Sequence, residues 1–192
     1  HAGYIDRMKA AVSGITEGKG QLEVKLCQIV HLKKAGRPVR MSKRSGDFVT
    51  LRSVIDEIGK DIIRFIMLTR SNDSQMDFDL EKVVEQTRDN PVFYVQYAHA
   101  RCCSILRHAS QHFPKKDLDP VSLAAAELGK IRNRSELNII KTLSAWPQVV
   151  ESAAISLEPH RVVFYLYDLA SLFHALWNKG KEEADLKFLN PR

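Results

Sequence analysis

The chain is poor in cysteine, with only Cys27, Cys102 and Cys103 among 192 residues. An odd count with one adjacent pair makes no disulfide framework, and no CxxC spacing is present to hold zinc. Adjacent cysteines on a helix point in different directions, so these are expected to pack as small apolar side chains. A reducing cytosol is the natural setting for such a chain. No apolar run approaches the ~20 residues that span a bilayer, and no charged-then-apolar leader opens the sequence. Residue 1 is His rather than Met, which reads as a piece of a longer protein. Carboxylates are missing from one whole window. None lies between Glu23 and Asp47, whereas Lys25, Lys33, Lys34, Arg37, Arg40, Lys43 and Arg44 all fall inside it. This distribution says more than the net charge of +6, because a block of one sign focuses potential and draws polyanions or nucleotide phosphates. A solvated basic hairpin fits the charges equally well.

What is present is enough for a sizeable core: 44% hydrophobic residues, with two Trp, five Tyr and eight Phe. That suits one large domain or two small ones. The spacing of Tyr4, Met8, Val12 and Ile15 predicts a short helix over 4–15. Alternation in "LEVKLCQIVHL" predicts a strand over 22–32, and "KKAGRP" a turn, so 22–41 reads as a β-hairpin. Thr50 is a plausible N-cap for a helix carrying Leu51, Val54, Ile55 and Ile58, ended by Gly59. A second helix follows in "KDIIRFIMLTR". The stretch "SNDSQMDFDL" reads as a polar connector and the domain change. Beyond it everything reads as helical. Asp79 is expected to cap 80–87, and Asn90-Pro91 to start a long helix to about residue 111 with a core stripe of Val92, Val95, His99, Cys102 and Leu106. "PKKDLDP" is a linker, and further helices are expected near 121–130, 133–145, 147–155 and 160–179, the last stopped by Gly180.

The stretch "VRMSKRSGDF" sets Arg40, Lys43 and Arg44 among Ser42, Ser45 and Gly46 with no acid before Asp47. Phosphoryl and nucleotidyl chemistry needs cations on non-bridging oxygens and backbone N–H groups that approach closely. Lys43 offers a mobile point charge, and the two arginines offer forked donors. Six residues alone fit a structural loop as well.

Arg40-Met41-Ser42-Lys43-Arg44 resembles the Lys-Met-Ser-Lys-Ser loop of class I aminoacyl-tRNA synthetases. The wider run from "VRMSKRSGDFVTLRSVIDEIGKDIIRFIMLTRSNDSQMDFDL" to "DNPVFYVQYAHAR" resembles one family among them, the arginyl-tRNA synthetases of bacterial type. "HAGYIDRMKAAV" is similar to the segment shortly before that loop, and "YLYDLASLFHALWN" to a helix of the family's DALR-type anticodon-binding domain. The resemblance covers essentially the whole chain. It implies the α/β end of a Rossmann-like catalytic domain (residues 1–78) followed by an all-α anticodon-binding bundle (residues 79–192), whose last helices are expected to be missing after "FLNPR". It also implies a cytoplasmic, monomeric ligase that activates arginine with ATP and Mg²⁺ and passes it to tRNA, with no tightly bound cofactor and no protein-held metal. By position, Lys43 would stabilise charge on the α-phosphate and the departing pyrophosphate, with Met41 and Ser42 against the nucleotide. Arg40 stands where the family has its first Lys, Arg44 where it has its last Ser, and Ser45 one residue on could supply that hydroxyl. The family's His-x-Gly-His motif is absent, and "HAG" is not a substitute, so the chain alone is expected to be catalytically incomplete. Two other readings are a class I ligase of the cysteinyl type and a non-catalytic RNA-binding module built from synthetase parts.

"YVQYAHAR" is a second constellation. Tyr94, Tyr97 and Arg101 fall at i, i+3 and i+7, on one helix face. Aromatics with Arg suit stacking and phosphate contact with unpaired RNA. The same tyrosines could instead pack between helices while Arg101 bridges to an acid. "DFD" at 77–79 reads as caps and dipole partners rather than a metal site, and His99, on the expected apolar stripe, as a packed histidine rather than a ligand.

Overall fold

A computed structural model describes residues 2–39, 49–87, 89–113 and 118–189. Helices dominate: α1 (Ile5–Ile15), α2 (Leu51–Ile58), α3 (Lys60–Met67), α4 (Pro91–His112), α5 (Pro120–Ala124), α6 (Arg134–Ser144), α7 (Trp146–Ile155) and α8 (His160–Glu182). None of them is long and apolar enough to cross a membrane. Three strands, β1 (Val30–Lys34), β2 (Arg37–Pro38) and β3 (Met76–Asp79), form one sheet in the order β2-β1-β3. β1 pairs with β2 as a hairpin and with β3 in parallel, Lys33 lying opposite Asp79.

The local signals in the first part hold. Thr50 accepts from the Ser53 N–H, and Ser53 returns a bond to the Thr50 N–H. Such reciprocal capping is worth about 1 kcal/mol. Gly59 sits at φ +92°, a left-handed value that glycine adopts without steric cost, and separates α2 from α3. Val54, Ile58 and Ile63 from these helices meet Met76, Phe78, Leu80 and Val83, with Val30, Leu32 and Val49 alongside. Phe78 is fully buried at the centre.

Two expectations about strands are corrected. Residues 22–29 form no strand, and Val24, Leu26 and Ile29 are exposed. The alternation there meets no neighbouring strand; the first strand begins at Val30, where β3 lies beside it. β3 itself occupies the middle of the expected polar connector. Its Met76 and Phe78 face the core, while Asp77 outside bonds Lys33 Nζ at 2.6 Å. Asp79 starts no helix over 80–87; one 3₁₀ turn at Lys82–Val84 follows it. What the described residues hold of an α/β unit is this single parallel pair with α2 and α3, and a Rossmann-like sheet is not evident in them.

Asn90 caps α4 as expected, its Oδ1 accepting from the Val92 N–H, while its buried Nδ2 donates to the carbonyls of Val83 and Glu85. The side chain therefore ties the long helix to the segment before it. α8 is the centre of the bundle and packs against α4, α6 and α7. Ala98 faces Ala170 and Phe173 at the α4–α8 crossing, and small residues there let the axes approach closely. The inward face of α4 runs through Val92, Tyr94, Val95, Ala98, Arg101, Ile105 and Ala109; the expected Val92 and Val95 lie on it, whereas His99, Cys102 and Leu106 are exposed. His99 is thus no packed core histidine, and its nearest polar partner is Cys103 Sγ at 3.7 Å. Cys27 is exposed as well, so only Cys103 is even half-buried. Gly180 does not stop α8, which runs on to Glu182. The chain then folds back on itself, and the 3₁₀ turn Ala184–Leu186 lies directly on Gly180.

Candidate nucleic-acid interface

The expected α4 constellation comes together with α8. Tyr94 is half-buried between the helices, its ring 5.1 Å from Tyr167 and 4.6 Å from His174. Tyr97 is 56% exposed and stacks on His174 at 5.7 Å. Arg101 lies over two rings, its Cζ 4.1 Å from the Tyr97 centroid and 4.8 Å from that of Trp177. One guanidinium nitrogen donates to the Tyr97 hydroxyl at 2.9 Å and another to His174 Nδ1 at 3.1 Å.

These bonds fix the histidine. Arginine only donates, so Nδ1 must accept, and the ring proton sits on Nε2. Nε2 then donates to the Tyr94 carbonyl at 3.1 Å. His174 is 8% exposed, and both of its nitrogens are satisfied. No carboxylate among the described residues pairs with Arg101. The alternative in which it bridges to an acid is therefore corrected: aromatic rings and a neutral imidazole hold the cation, and its charge is not cancelled. A cavity of about 350 Å³ opens beside it, lined also by Ser171, Ala175 and Asn178. A second, of about 460 Å³, shares the walls of Tyr94 and Tyr97 and is closed by Gln86, Thr87, Phe93, Gln96 and Ala100. Flat rings, an unneutralised guanidinium and amides around open cavities are what an unpaired base and its phosphate would meet.

Sequence reasoning missed His174 and Trp177. Their signal was spacing: Ala170, His174 and Trp177 fall on the α8 face turned to α4, inside the run already singled out as "YLYDLASLFHALWN".

Residues 95–185, which include Tyr97, Arg101, His174 and Trp177, match the family of the DALR anticodon binding domain. Over 190 residues the chain is 55% identical to the arginine–tRNA ligase of Methylobacterium sp. (strain 4-46), covering 99% of this chain and 32% of that protein. Over 192 residues it is 56% identical to the arginine–tRNA ligase of Rhodospirillum rubrum, covering all of this chain and 32% of that one. The chain belongs to the arginyl-tRNA synthetase family. It spans about a third of the length of the curated relatives it matches. A crystal structure assigned as an arginyl-tRNA synthetase from Campylobacter jejuni superposes with a TM-score of 0.77 at 33% identity, over 93% of this chain and 37% of that one. The Thermus thermophilus arginyl-tRNA synthetase, at 24% identity and a TM-score of 0.52 over 75% of this chain and 26% of its own, shares the fold.

The other site expected of an arginyl-tRNA synthetase, Arg40, Met41, Ser42, Lys43, Arg44, Ser45 and Gly46, lies outside the described residues. Its flanks are described. Before it, the Val39 N–H donates to the Leu32 carbonyl at 2.9 Å; after it, Val49 packs on the core and Thr50 caps α2. Among the described residues no group of three His, Cys, Asp or Glu side chains could hold a metal ion.

Proposed function

We propose that this chain is the part of a cytoplasmic, monomeric arginine–tRNA ligase that brings a phosphate-binding loop and an anticodon-binding bundle together in one segment. Residues 1–78 would be the end of a Rossmann-like catalytic domain, and 79–192 a DALR-type bundle that binds the arginine-accepting tRNA. Leu80 and Val83 pack on the core of the first part and form its seam with the second. In the whole enzyme a carboxylate oxygen of arginine attacks the α-phosphorus of ATP in line. The bond to the bridging oxygen of the β-phosphate breaks, and pyrophosphate leaves. Mg²⁺ arrives with the nucleotide. Lys43 compensates charge on the α-phosphate and the leaving group, with Arg40 and Arg44 as further cations and Ser42, Ser45 and Gly46 presenting donors to oxygens. Arginine then passes to the 3′ end of the tRNA, while Tyr94, Tyr97 and Arg101 contact its unpaired anticodon bases.

The observation that carries this reading is Arg101, stacked on Tyr97 and Trp177 and paired with no carboxylate among the described residues, within the match to an anticodon-binding domain. The test is ATP–pyrophosphate exchange by the intact enzyme with tRNA present. Exchange should require arginine, and Lys43→Ala should lower it by ~10²–10³, the usual loss for one positioned donor. Exchange driven by cysteine instead, or a Lys43→Ala enzyme at wild-type rate, would refute the assignment.

A further inference from the structure

Asp79 takes part in neither of the sites described above, yet it is a buried carboxylate with two backbone partners from different parts of the chain. It ends β3, opposite Lys33 of β1. Its Oδ2 accepts from the Gly36 N–H at 2.7 Å, and its Oδ1 from the Glu81 N–H at 3.1 Å. The Gly36 bond, first, and then those from the 81–82 backbone hold the carboxyl below its ordinary range, against the opposing effect of burial. A bond to Glu81 alone would make Asp79 a local turn cap. The bond to Gly36 reaches across 43 residues and needs another explanation.

Ala35 and Gly36 form the two-residue connection between β1 and β2, with φ of +50° and +75°. Two successive left-handed residues match the twist of a tight hairpin. Such turns favour Asn-Gly or Asp-Gly, and alanine is a poor first residue because its Cβ crowds the carbonyl. The sequence therefore leaves this turn weakly specified, and the Gly36 N–H points out of the ladder. Asp79 supplies the missing restraint by binding that N–H from the neighbouring strand. Three residues past the turn the last described rung, Val39 to Leu32, sets the chain on its way into 40–46.

We propose that Asp79 is a positioning residue, which clamps the β1–β2 turn onto the end of β3 and so fixes the direction in which the chain enters residues 40–46. The proposal rests on the reading of 40–46 as the phosphate-binding loop. The capping of Thr50 and the packing of Val49 secure the far side of that segment, and Asp79 secures the near side. A carboxylate can take both N–H groups, whereas asparagine of the same shape must turn an NH₂ toward one of them.

The test uses the intact enzyme with Asp79→Asn, Lys43→Ala and the double variant. Asp79→Asn should lower the kcat of arginine-dependent exchange about 10- to 100-fold, as small misplacements of catalytic groups do. The dissociation constant for tRNA should stay at its wild-type value, and the unfolding midpoint should fall only slightly, since one accepting bond is lost while the chain still folds. Trypsin should cut after Arg40, Lys43 or Arg44 faster in the variant, since a loosened anchor raises local opening without global unfolding. Added to Lys43→Ala, Asp79→Asn should cost nothing further, because it acts through the same group. An Asp79→Asn enzyme with wild-type kcat and cleavage would overturn the proposal. So would a fully additive double variant, or one that fails to fold or loses tRNA binding in parallel, since the clamp would then be structural alone. A wild-type exchange that does not depend on arginine, or an unaffected Lys43→Ala enzyme, overturns the loop reading instead, and tryptic cleavage still decides whether Asp79 anchors the segment.

Discussion

Replacing Gly180 by alanine sets two physical effects against each other. Helix propensity favours the change, since glycine in a helix interior is less stable than alanine by about 0.5–1 kcal/mol. Sterics oppose it. A Cβ at Gly180 would lie 2.7 Å from the Leu186 carbonyl oxygen, 3.2 Å from its carbon and 3.4 Å from Lys187 Cα. All three are backbone atoms, so no side chain can swing aside, and overpacking of this kind costs about 1–3 kcal/mol. The midpoint of the difference is a loss of about 1 kcal/mol, or a fall in Tm of roughly 2–4 °C for a chain of this size. The damage should also travel. Phe188, two residues past Leu186, packs at 5.2 Å on Phe173 and 5.9 Å on Trp177, and Trp177 is one of the two rings under Arg101. Thermal unfolding followed by circular dichroism, with tRNA affinity measured in the intact enzyme, reads both effects. Gly14→Ala is the control, because nothing lies within 4 Å of a Cβ there, and it should raise helicity. A Gly180→Ala variant as stable as the parent or more so would refute the close approach and the account of how the chain folds back.

Two further outcomes follow from the charges. Arg101→Ala should weaken tRNA binding at least 10-fold and Arg101→Lys nearly as much, because an ammonium cannot stack on two rings while bonding His174 and Tyr97; competition binding with cognate and anticodon-swapped tRNA measures it, and a Lys variant at parental affinity would show that charge alone suffices. Asp77, held low chiefly by its hydrogen bond from Lys33, Asp79, held low chiefly by the Gly36 N–H, and Glu158, held low chiefly by Arg161, all bind protons more weakly folded than unfolded. Their stabilisation is therefore complete above the ordinary carboxylate pKa near 4 and is lost as pH falls through the lower folded values. Urea midpoints should drop over that acid range, and Asp77→Asn should make the drop shallower.

What could be read from the sequence was what is decided locally. Thr50, Gly59 and Asn90 act on neighbours within a few residues, and each does what its type and position announce. Strand β3 was hidden because its partner lies more than forty residues away, and because two of its four residues are aspartates, which weigh against a strand by composition. One of those aspartates pairs with a lysine on the neighbouring strand and the other binds a turn N–H; neither fact is visible until the sheet is assembled. The failed strand over 22–29 is the converse, a good alternation with no strand beside it to pair with. Gly180 misled for a related reason. Its lack of a side chain serves a close approach six residues later, not the end of the helix.

The misplaced second half of the α4 stripe carries the most functional meaning. Counting apolar residues placed Val92 and Val95 rightly but ran on through His99, Cys102 and Leu106, because an arginine counts as solvent-facing. The helix instead turns Arg101 inward, between Ala98 and Ile105, against α8. A cation drawn half out of water often finds a carboxylate, since an unpaired charge is costly to desolvate. Here ring faces and an imidazole nitrogen take that place. They orient the guanidinium and shield its flat surfaces while leaving its charge whole, with N–H groups to spare beside an open cavity. A carboxylate partner would have had to be displaced by an incoming phosphate, or would have repelled it. Rings impose neither cost. The departure from a simple amphipathic pattern therefore falls at the residue proposed to meet RNA, and the same bonds that orient Arg101 leave its charge uncancelled for a polyanion.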